Sequence, residues 1–301
     1  MRLHEFDLNL LVYLDALLTE KGVSRAAVRL GITQPAMSEA LARLREYFKD
    51  KLLIHVTGRS MILTPLACSL VAPVREILLH VQAVAAATTD FVPAKSDRKF
   101  SIMASDYVYD VLLRRVLIRL SQDAPGIRIE VRRVTVSSWD EIKRADLDLL
   151  VTPYGYASEE LPSEPLYEET ITCVVWTRNR LVGDQVSLER YQEMGHVCRN
   201  MDGQIAEYDR WFMSRFGMRR RVEVLVPDFG MVLRAVEGTN RIATVHLRHA
   251  RMYAKQFSLR VVRPPVVFPL LTEFLQWHQH QDRDPGLAWL RSYLRAAAVE
   301  I

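Results

Sequence analysis

The feature that most constrains this chain is a pair of short amphipathic segments joined by a tight turn, within residues 23–48. In the first segment, helical spacing places on one face Val23, Ala26, Ala27 and Leu30. Ser24 is the predicted N-cap, and Gly31 follows where a helix end favours a residue that tolerates positive φ. After the turn, a second helix is expected to begin with Pro35 in its first turn, because that position needs no N–H.

The second helix separates apolar side chains from small and polar ones. Helical spacing places on its apolar face Met37, Ala40, Leu41, Leu44 and Phe48. The opposite face carries Gln34, Ser38, Ala42 and Arg45, with Arg43 beside them. A helix, a tight turn and a helix with a small, polar outer face form the pattern of a helix-turn-helix, whose second helix enters the major groove of DNA.

The segment after this helix has the pattern of a β-hairpin. Apolar residues flank the turn 57–60 within residues 52–63, and Arg59 lies at the tip. This predicts the wing of a winged helix-turn-helix, with Arg59 placed to reach a phosphate or the minor groove. The local charge agrees, because residues 21–60 contain eight basic and three acidic residues in a chain of net charge +4. Such a patch is typical of a nucleic-acid-binding module, although a solvated surface is the commoner origin.

A long helix is predicted to begin at Thr64 and Pro65, which form a cap followed by a proline in the first helical position. Its apolar residues recur at a spacing close to 3.5 and are Leu66, Leu70, Val74, Ile77, Val81 and Val84. A lone helix with this spacing is most simply buried against its own copy, which predicts a homodimer. We expect Pro73 to kink the helix, and residues 87–97 to form a linker.

From residue 98 onward, short apolar strands alternate with helical segments. Strands are predicted at 100–104, 127–134, 147–151, 170–176, 221–225 and 242–245, and helices at 111–120, 207–216, 231–236 and 287–298. This rhythm is typical of α/β folds with mostly parallel sheets. Because roughly 200 residues are too many for one small sheet, we expect two lobes with a ligand cleft between their strand ends.

The sequence lacks the common signals of catalysis, metal binding and membrane insertion. It contains no GxGxxG, GxxxxGK(S/T), GxSxG or HExxH motif, so we do not expect an enzyme. His278 and His280 are more often surface or packing residues than metal ligands, and no cysteine pair has zinc-ligand spacing. No run approaches about 18 apolar residues, and acids stand where a secretion signal would be basic. We therefore expect a cytoplasmic protein with no membrane contact.

Residues 24–38, with the sequence SRAAVRLGITQPAMS, resemble the helix-turn-helix of LysR-type transcriptional regulators. The wing, the long helix and the two-lobed remainder extend this resemblance over essentially the whole chain. The branch that holds the nodulation and aromatic-catabolism regulators is indicated by DLNLL at 7–11, RLR at 43–45, IATV at 242–245, WH at 277–278, RDPG at 283–286 and WLR at 289–291. Two positions depart from the pattern: Arg45 replaces an acid of the wider family, and His246 replaces the proline of the branch.

The resemblance implies a winged helix-turn-helix DNA-binding domain at 1–64, a linker helix at 65–90 and a two-lobed α/β effector domain at 91–301, similar to periplasmic binding proteins. Lobe 1 would span about 98–168 and 267–301, and lobe 2 about 169–266. The protein would be a homotetramer of dimers that binds double-stranded promoter DNA and contacts RNA polymerase. The implied DNA-binding residues are Ser24, Thr33, Gln34, Pro35, Ser38, Arg43 and Arg59. Their chemistry agrees, because Gln can bridge adenine N6 and N7, and Arg can fork onto guanine.

The resemblance also implies a small-molecule effector between the lobes, an aromatic or phenolic compound, and no other cofactor. The implied effector-binding residues are Ser105, Asp106, Thr152, Asn200, Asp202, His246, Arg248 and Phe268. Other roles stay open: Ser105 and Asp106 would equally cap the following helix, Phe268 would equally be core, and His246 would equally be an ordinary polar residue after a strand. Arg248 would pair with a ligand carboxylate or with an acid of the chain.

A second hypothesis is a regulator of the same fold that senses oxidants. The candidate residues are Cys173 and Cys198, which are 25 residues apart. In a reducing compartment such a pair is more often two buried thiols than a redox switch.

Overall fold

The structure is a computed structural model that describes residues 6–55, 61–86, 91–135, 137–201, 204–205 and 213–301. The chain separates into two compact units, Met1–Thr88 and Thr89–Ile301. Among the described residues, no helix is both long and apolar enough to cross a membrane.

The first unit is a helix-turn-helix followed by a hairpin and a long helix. Its elements are α1 (Asn9–Glu20), α2 (Val23–Leu30), α3 (Gln34–Phe48), the antiparallel strands β1 (Leu53–His55) and β2 (Met61–Leu63), and α4 (Pro65–Ala86). The predicted helix-turn-helix and the two hairpin strands are confirmed. Helix α4 runs without interruption through Pro73.

Local backbone chemistry sets the turn between α2 and α3. Gly31 ends α2 with a φ of 64°, a conformation that a residue without a Cβ adopts freely. The hydroxyl of Thr33 then caps α3 by accepting a hydrogen bond from the backbone N–H of Ala36 at 3.4 Å. The prediction that Ser24 caps α2 is wrong, because Gly22 holds the cap position and Ser24 lies inside the first turn.

The apolar face of α3 packs into the core of the first unit, where Met37 and Leu44 are fully buried. The sequence predicts that the Arg45 side chain lies on the outer face of α3, but the structure differs. Arg45 is half-buried, and its guanidinium donates hydrogen bonds to the backbone carbonyl oxygens of Lys51 (2.8 Å) and Leu53 (3.1 Å). These bonds tie the end of α3 to the first strand of the hairpin.

The second unit contains two β-sheets, one in each lobe. In the first lobe the strand order is β4 (Arg128–Arg133), β3 (Lys99–Ala104), β5 (Leu149–Pro153), β13 (Leu271–Gln276) and β6 (Ser163–Glu169). In the second lobe the order is β10 (Arg221–Val226), β8 (Gly195–Met201), β11 (Ile242–His246), β7 (Ile171–Trp176) and β12 (Leu259–Val262), with β9 (Gln204–Ile205) paired to β8.

The expectation of mostly parallel sheets is wrong, because both sheets are mixed. Strand β3 pairs parallel with β4 and β5, and β8 pairs parallel with β10 and β11. In contrast, β13 pairs antiparallel with β5 and β6, and β7 pairs antiparallel with β11 and β12. The antiparallel strands lie where the chain passes between lobes. Only Thr170 separates β6 from β7, so no crossover helix turns the chain before it enters the next sheet.

Helices pack around both sheets. A helical turn (Asp106–Val108) and a π-helical segment (Tyr109–Leu113) lead into α5 (Arg114–Asp123); the others are α6 (Ser138–Lys143), α7 (Leu188–Glu193), α8 (Phe229–Arg234), α9 (Leu247–Ala254) and α10 (Pro285–Ala298). The six predicted strands are present with shifted ends, but β6, β8, β9, β12 and β13 were not expected from the sequence. The predicted helix 207–216 lies largely outside the described residues.

Candidate DNA-binding surface and effector cavity

The outer face of α3 is the candidate DNA-binding surface. Five residues predicted to contact DNA are exposed at the start of α3 or along it: Thr33, Gln34, Pro35, Ser38 and Arg43. Ser24 is exposed on α2, and Arg59 lies outside the described residues. A helix face that combines small, amide and cationic side chains can approach base edges closely and donate hydrogen bonds to them.

Arg43 is not a free cation in this surface. Its guanidinium pairs with the carboxylate of Asp7 at 2.9 Å, and both side chains are partly exposed. The backbone N–H of Asn9 and the Arg43 guanidinium lower the pKa of Asp7. A base or a phosphate that binds the Nη2 atom of Arg43 would displace Asp7, whereas the other N–H groups of the guanidinium can donate to DNA beside it. An exposed pair of this kind opens at little cost.

A cavity of about 90 Å³ lies between the two lobes of the second unit. The first lobe and its return strand line it with Ser105, Val134, Trp139, Val151, Thr152, Pro153, Tyr156, Leu271 and Glu273. The second lobe and the segment that leaves it contribute Ile171, Arg199, Phe229, Thr244, Val245, His246 and Phe268. A mainly apolar and aromatic lining with a few polar groups is typical of small-molecule sites. An apolar cavity known to hold benzene measures about 150 Å³, so this one is smaller, and a single ring would fit only if the lining side chains or the lobes shift to make room.

His246 forms part of the polar wall of the cavity. Its ring stacks on that of Tyr107, with centroids 3.7 Å apart and planes 9° from parallel. Burial lowers the pKa of His246 to about 3, and the charges of His249 and Arg199 act in the same direction. The imidazole is therefore neutral near pH 7, and its Nδ1 makes no hydrogen bond within the described residues.

Two carboxyl groups are buried beside this wall. Glu169 is satisfied: its Oε2 accepts a hydrogen bond from the Tyr107 hydroxyl at 2.7 Å, and its Oε1 accepts one from the backbone N–H of Thr170 at 2.7 Å. Glu273 is only 2% exposed, and its Oε2 has no hydrogen-bond partner among the described residues. Burial, and next the nearby Glu169, raise the pKa of Glu273 to about 8. Near neutral pH the Glu273 carboxyl is therefore mainly protonated.

This raised pKa predicts how stability depends on pH. Between about pH 4.5 and pH 8, folded Glu273 keeps a proton that the unfolded chain releases, so stability falls as the pH rises through that window. The slope approaches about 1.4 kcal/mol per pH unit. We expect Glu273→Gln to remove this fall, as measured by unfolding midpoints at pH 5, 6.5 and 8. The control Glu168→Gln changes an exposed acid, so its unfolding midpoint should depend on pH as that of the wild type does. If the midpoints of all three proteins depend on pH in the same way, the pKa of Glu273 is not raised.

Four of the predicted effector-binding residues line the cavity: Ser105, Thr152, His246 and Phe268. Two of them also have the structural roles that the sequence left open. The Ser105 hydroxyl caps the following helical turn by accepting a hydrogen bond from the backbone N–H of Val108 at 3.3 Å. Phe268 is also buried in the core of the second lobe.

The other predicted residues do not line this cavity. Asp106 accepts hydrogen bonds from the backbone N–H groups of Phe229 (3.1 Å) and Gly230 (2.7 Å), and so joins the lobes. Arg248 donates to the backbone carbonyl of Glu168 and lies 3.4 Å from the Glu169 carboxylate. Asn200 lies in β8, paired in register with β9. Asp202 lies outside the described residues.

Sequence reasoning missed several lining residues, namely Trp139, Tyr156, Arg199, Phe229 and Glu273. For Glu273 a signal existed, because an acid interrupts the alternation of Leu271 and Leu275 in a strand-like segment. For the three aromatic residues the sequence gave no such signal, since aromatic side chains near strand ends are usually core.

The cysteine geometry gives no support to oxidant sensing. Cys173 and Cys198 are both buried and form no disulfide among the described residues, and burial raises the pKa of the Cys173 thiol to about 12. Peroxide reacts with the thiolate, which is favoured in exposed, cationic surroundings. A fully buried thiol that stays protonated near neutral pH lacks that reactivity.

A helix-turn-helix unit followed in the chain by a two-lobed α/β unit with a cavity between its lobes is the architecture of a transcriptional regulator with a separate regulatory domain. Two family models match this division of the chain. "Bacterial regulatory helix-turn-helix protein, lysR family" matches residues 8–67, and "LysR substrate binding domain" matches residues 94–299. The chain therefore belongs to the LysR family and is a LysR-type transcriptional regulator.

Relatives and solved structures cover nearly the whole chain. Nodulation protein D 1 of a Bradyrhizobium species is 38% identical and covers 100% of this chain and 96% of its own. A probable transcriptional regulator from Pseudomonas aeruginosa has a TM-score of 0.66 at 27% identity, covering 98% of each chain. Full-length OxyR from the same organism has a TM-score of 0.73 at 15% identity, covering 97% of this chain and 94% of its own, which shows the fold alone.

Proposed function

We propose that this regulator binds promoter DNA through the outer face of α3 and the hairpin, and that a small aromatic or phenolic compound bound between the lobes controls it. The observation that carries the proposal is the cavity lined by Trp139, Tyr156, Phe229 and Phe268, with a few polar groups between them. Flat aromatic walls favour a ring, and the sparse polar groups orient it.

The proposed DNA contacts follow from the exposed face of α3. Gln34 would read an adenine, Arg43 would fork onto a guanine or a phosphate, and Ser38 would allow the helix to approach the bases. Thr33 and Pro35 would contact backbone and thymine methyl groups, with Ser24 on α2 as a further contact. We keep Arg59, which the sequence predicts to lie in the wing, as part of this set. The solved structure of CbnR with its target DNA has a TM-score of 0.52 and covers 97% of this chain, so the fold is compatible with such docking.

The long helix α4 is the proposed dimer contact. Val74 packs into the core of its own unit, whereas four residues of the predicted apolar stripe are exposed: Leu66, Ile77, Val81 and Val84. Leu70 is partly buried. An exposed apolar row on a helix is buried when two copies pair. We propose a homodimer through α4, a homotetramer of such dimers, and the division into residues 1–64, 65–90 and 91–301.

Relatives support the proposed class of effector. The curated relatives named Nodulation protein D share about 38% of residues over the whole chain, and they fall in the branch that the sequence resembles. An effector can act only if it binds two states of the protein with different affinity. We propose that it changes how the lobes are held together, and through them DNA geometry and contact with RNA polymerase.

The experiment that tests this proposal measures the affinity of the full-length protein for its own promoter fragment with and without a panel of phenols. We expect at least one phenol to change that affinity by about 5- to 150-fold, and promoter DNA to change the affinity for that phenol by the same factor. Saturated analogues such as cyclohexanol are the control and should have no effect. A panel without any active aromatic compound would contradict the effector class, whereas absent promoter binding would contradict the DNA-binding role.

A further inference from the structure

One residue of the cavity has no explanation in the fold. Glu273 lies in the middle of β13, the strand between β5 and β6, where its neighbours on the same side of the sheet are Leu271 and Leu275. Those leucines are buried, and the alternation of the strand calls for an apolar residue at 273 as well. A buried carboxyl with an unpartnered oxygen destabilises a fold, and such an atom needs a reason.

The surroundings of Glu273 leave this oxygen available. The nearby acid Glu169 already accepts hydrogen bonds from Tyr107 and Thr170. The Arg199 guanidinium lies over the ring of Phe229, 4.9 Å from its centroid, and also lines the cavity. The Glu273 side chain is thus a buried polar group that faces the cavity and has unused hydrogen-bonding capacity.

We propose that Glu273 is a specificity-determining residue of the effector cavity and hydrogen-bonds the hydroxyl group of a neutral phenolic ring. This rests on the proposed function, since it requires a ring in the cavity. A carboxyl and a phenol hydroxyl suit each other because each can both donate and accept. A ligand without the hydroxyl leaves the buried oxygen unpaired, so the cavity rejects it.

The same geometry selects against carboxylate ligands. A benzoate would bring a negative charge close to Glu169, whose charge already raises the pKa of Glu273, and in a site of low dielectric these like charges repel strongly; Glu273 itself, protonated near neutral pH, adds no charge. Arg199 also lines the cavity, and its positive charge offsets part of this repulsion. The cavity therefore distinguishes a phenol from a benzoate by charge, and a phenol from its methyl ether by hydrogen bonding.

Calorimetric titration of the full-length protein at pH 7 tests this assignment with three single-ring probes: phenol, anisole and benzoate. We expect the wild type to bind phenol at least about tenfold more tightly than the other two, because one hydrogen bond to a buried polar group is worth about that factor. Glu273→Gln keeps a donor and an acceptor, so it should retain the preference for phenol over anisole. Glu273→Leu should abolish it. The control Glu168→Leu alters an exposed acid on the neighbouring strand β6 and should behave as the wild type.

The outcomes separate this inference from the proposed function. Equal binding of phenol and anisole by the wild type, or a preference that persists in Glu273→Leu, overturns the role of Glu273 while leaving an aromatic effector in place. Failure of all three probes to bind the wild type overturns both the role of Glu273 and the proposed aromatic effector, and leaves the proposed DNA-binding role in place. A crystal structure of the wild type with 4-bromophenol tests whether Glu273 binds the hydroxyl group, even if Glu273→Leu does not fold. The hydroxyl oxygen should lie within about 3.2 Å of the Glu273 carboxyl, and a ring placed elsewhere contradicts the assignment.

Discussion

Ser38→Glu is expected to lower the affinity of the protein for promoter DNA by at least about 100-fold. Ser38 is exposed on α3, on the face opposite the buried Met37 and Leu44. A glutamate there would place a negative charge against phosphates and against the acceptor atoms of base edges, and it would fill space that a serine leaves open. Lost contacts and repulsion together amount to about 2.7 kcal/mol or more, which corresponds to a factor of 100.

The variant should fold, because glutamate is a good helix former at an exposed position. The matched control is Ser292→Glu, which makes the same change at an exposed position of α10 in the second unit. Fluorescence anisotropy with a labelled promoter fragment measures both affinities. If the two variants bind DNA equally well, the outer face of α3 is not the surface that docks.

Ile77→Glu is expected to dissociate the dimer. Ile77 is 44% exposed on α4 within the first unit, in the same apolar row as Val81 and Val84, which are 57% and 70% exposed. A two-fold contact through this row would bring two such glutamates into an apolar seam, one from each copy. Burying unpaired charges of like sign is strongly unfavourable, so we expect the dissociation constant of the dimer to rise by at least about 100-fold.

Ser69→Glu is the matched control for this variant. It introduces the same charge on α4 at an exposed position outside the apolar row. Sedimentation velocity over a range of protein concentrations should show monomers for Ile77→Glu at concentrations where the control and the wild type are dimers. An oligomer that stays intact in Ile77→Glu would show that the copies associate through another surface.

The sequence predicts the DNA-binding head well because the interactions that define it are local. The turn needs Gly31 and the Thr33 cap, and the apolar spacing of α3 follows from residues within four positions of one another. Arg45 is the exception. Helical spacing places it on the outer face, but its long side chain reaches back to the carbonyl oxygens of the hairpin. Spacing alone does not determine where such a flexible side chain ends.

The second unit is harder to predict because its strands and its cavity depend on contacts between distant segments. Strands β6, at the edge of its sheet, and β13, beside it, carry the buried acids Glu169 and Glu273, which break the apolar pattern expected of buried strand positions. The sequence also does not distinguish polar residues that line the cavity from polar residues that hydrogen-bond within the chain. Asp106 and Arg248 are polar and near strand ends, as a ligand contact would be, yet their hydrogen bonds go to the chain itself.

Docking of the basic head on duplex DNA through charged and polar side chains of the α3 face requires that binding depend on salt. Its most direct test is the affinity of the full-length wild type for its promoter fragment, measured from low to moderate salt. If each dimer neutralises about six phosphates, the logarithm of the binding constant should fall linearly with the logarithm of salt concentration, with a slope of about −5. A flat salt response, or no binding at any salt concentration, would contradict docking through this face.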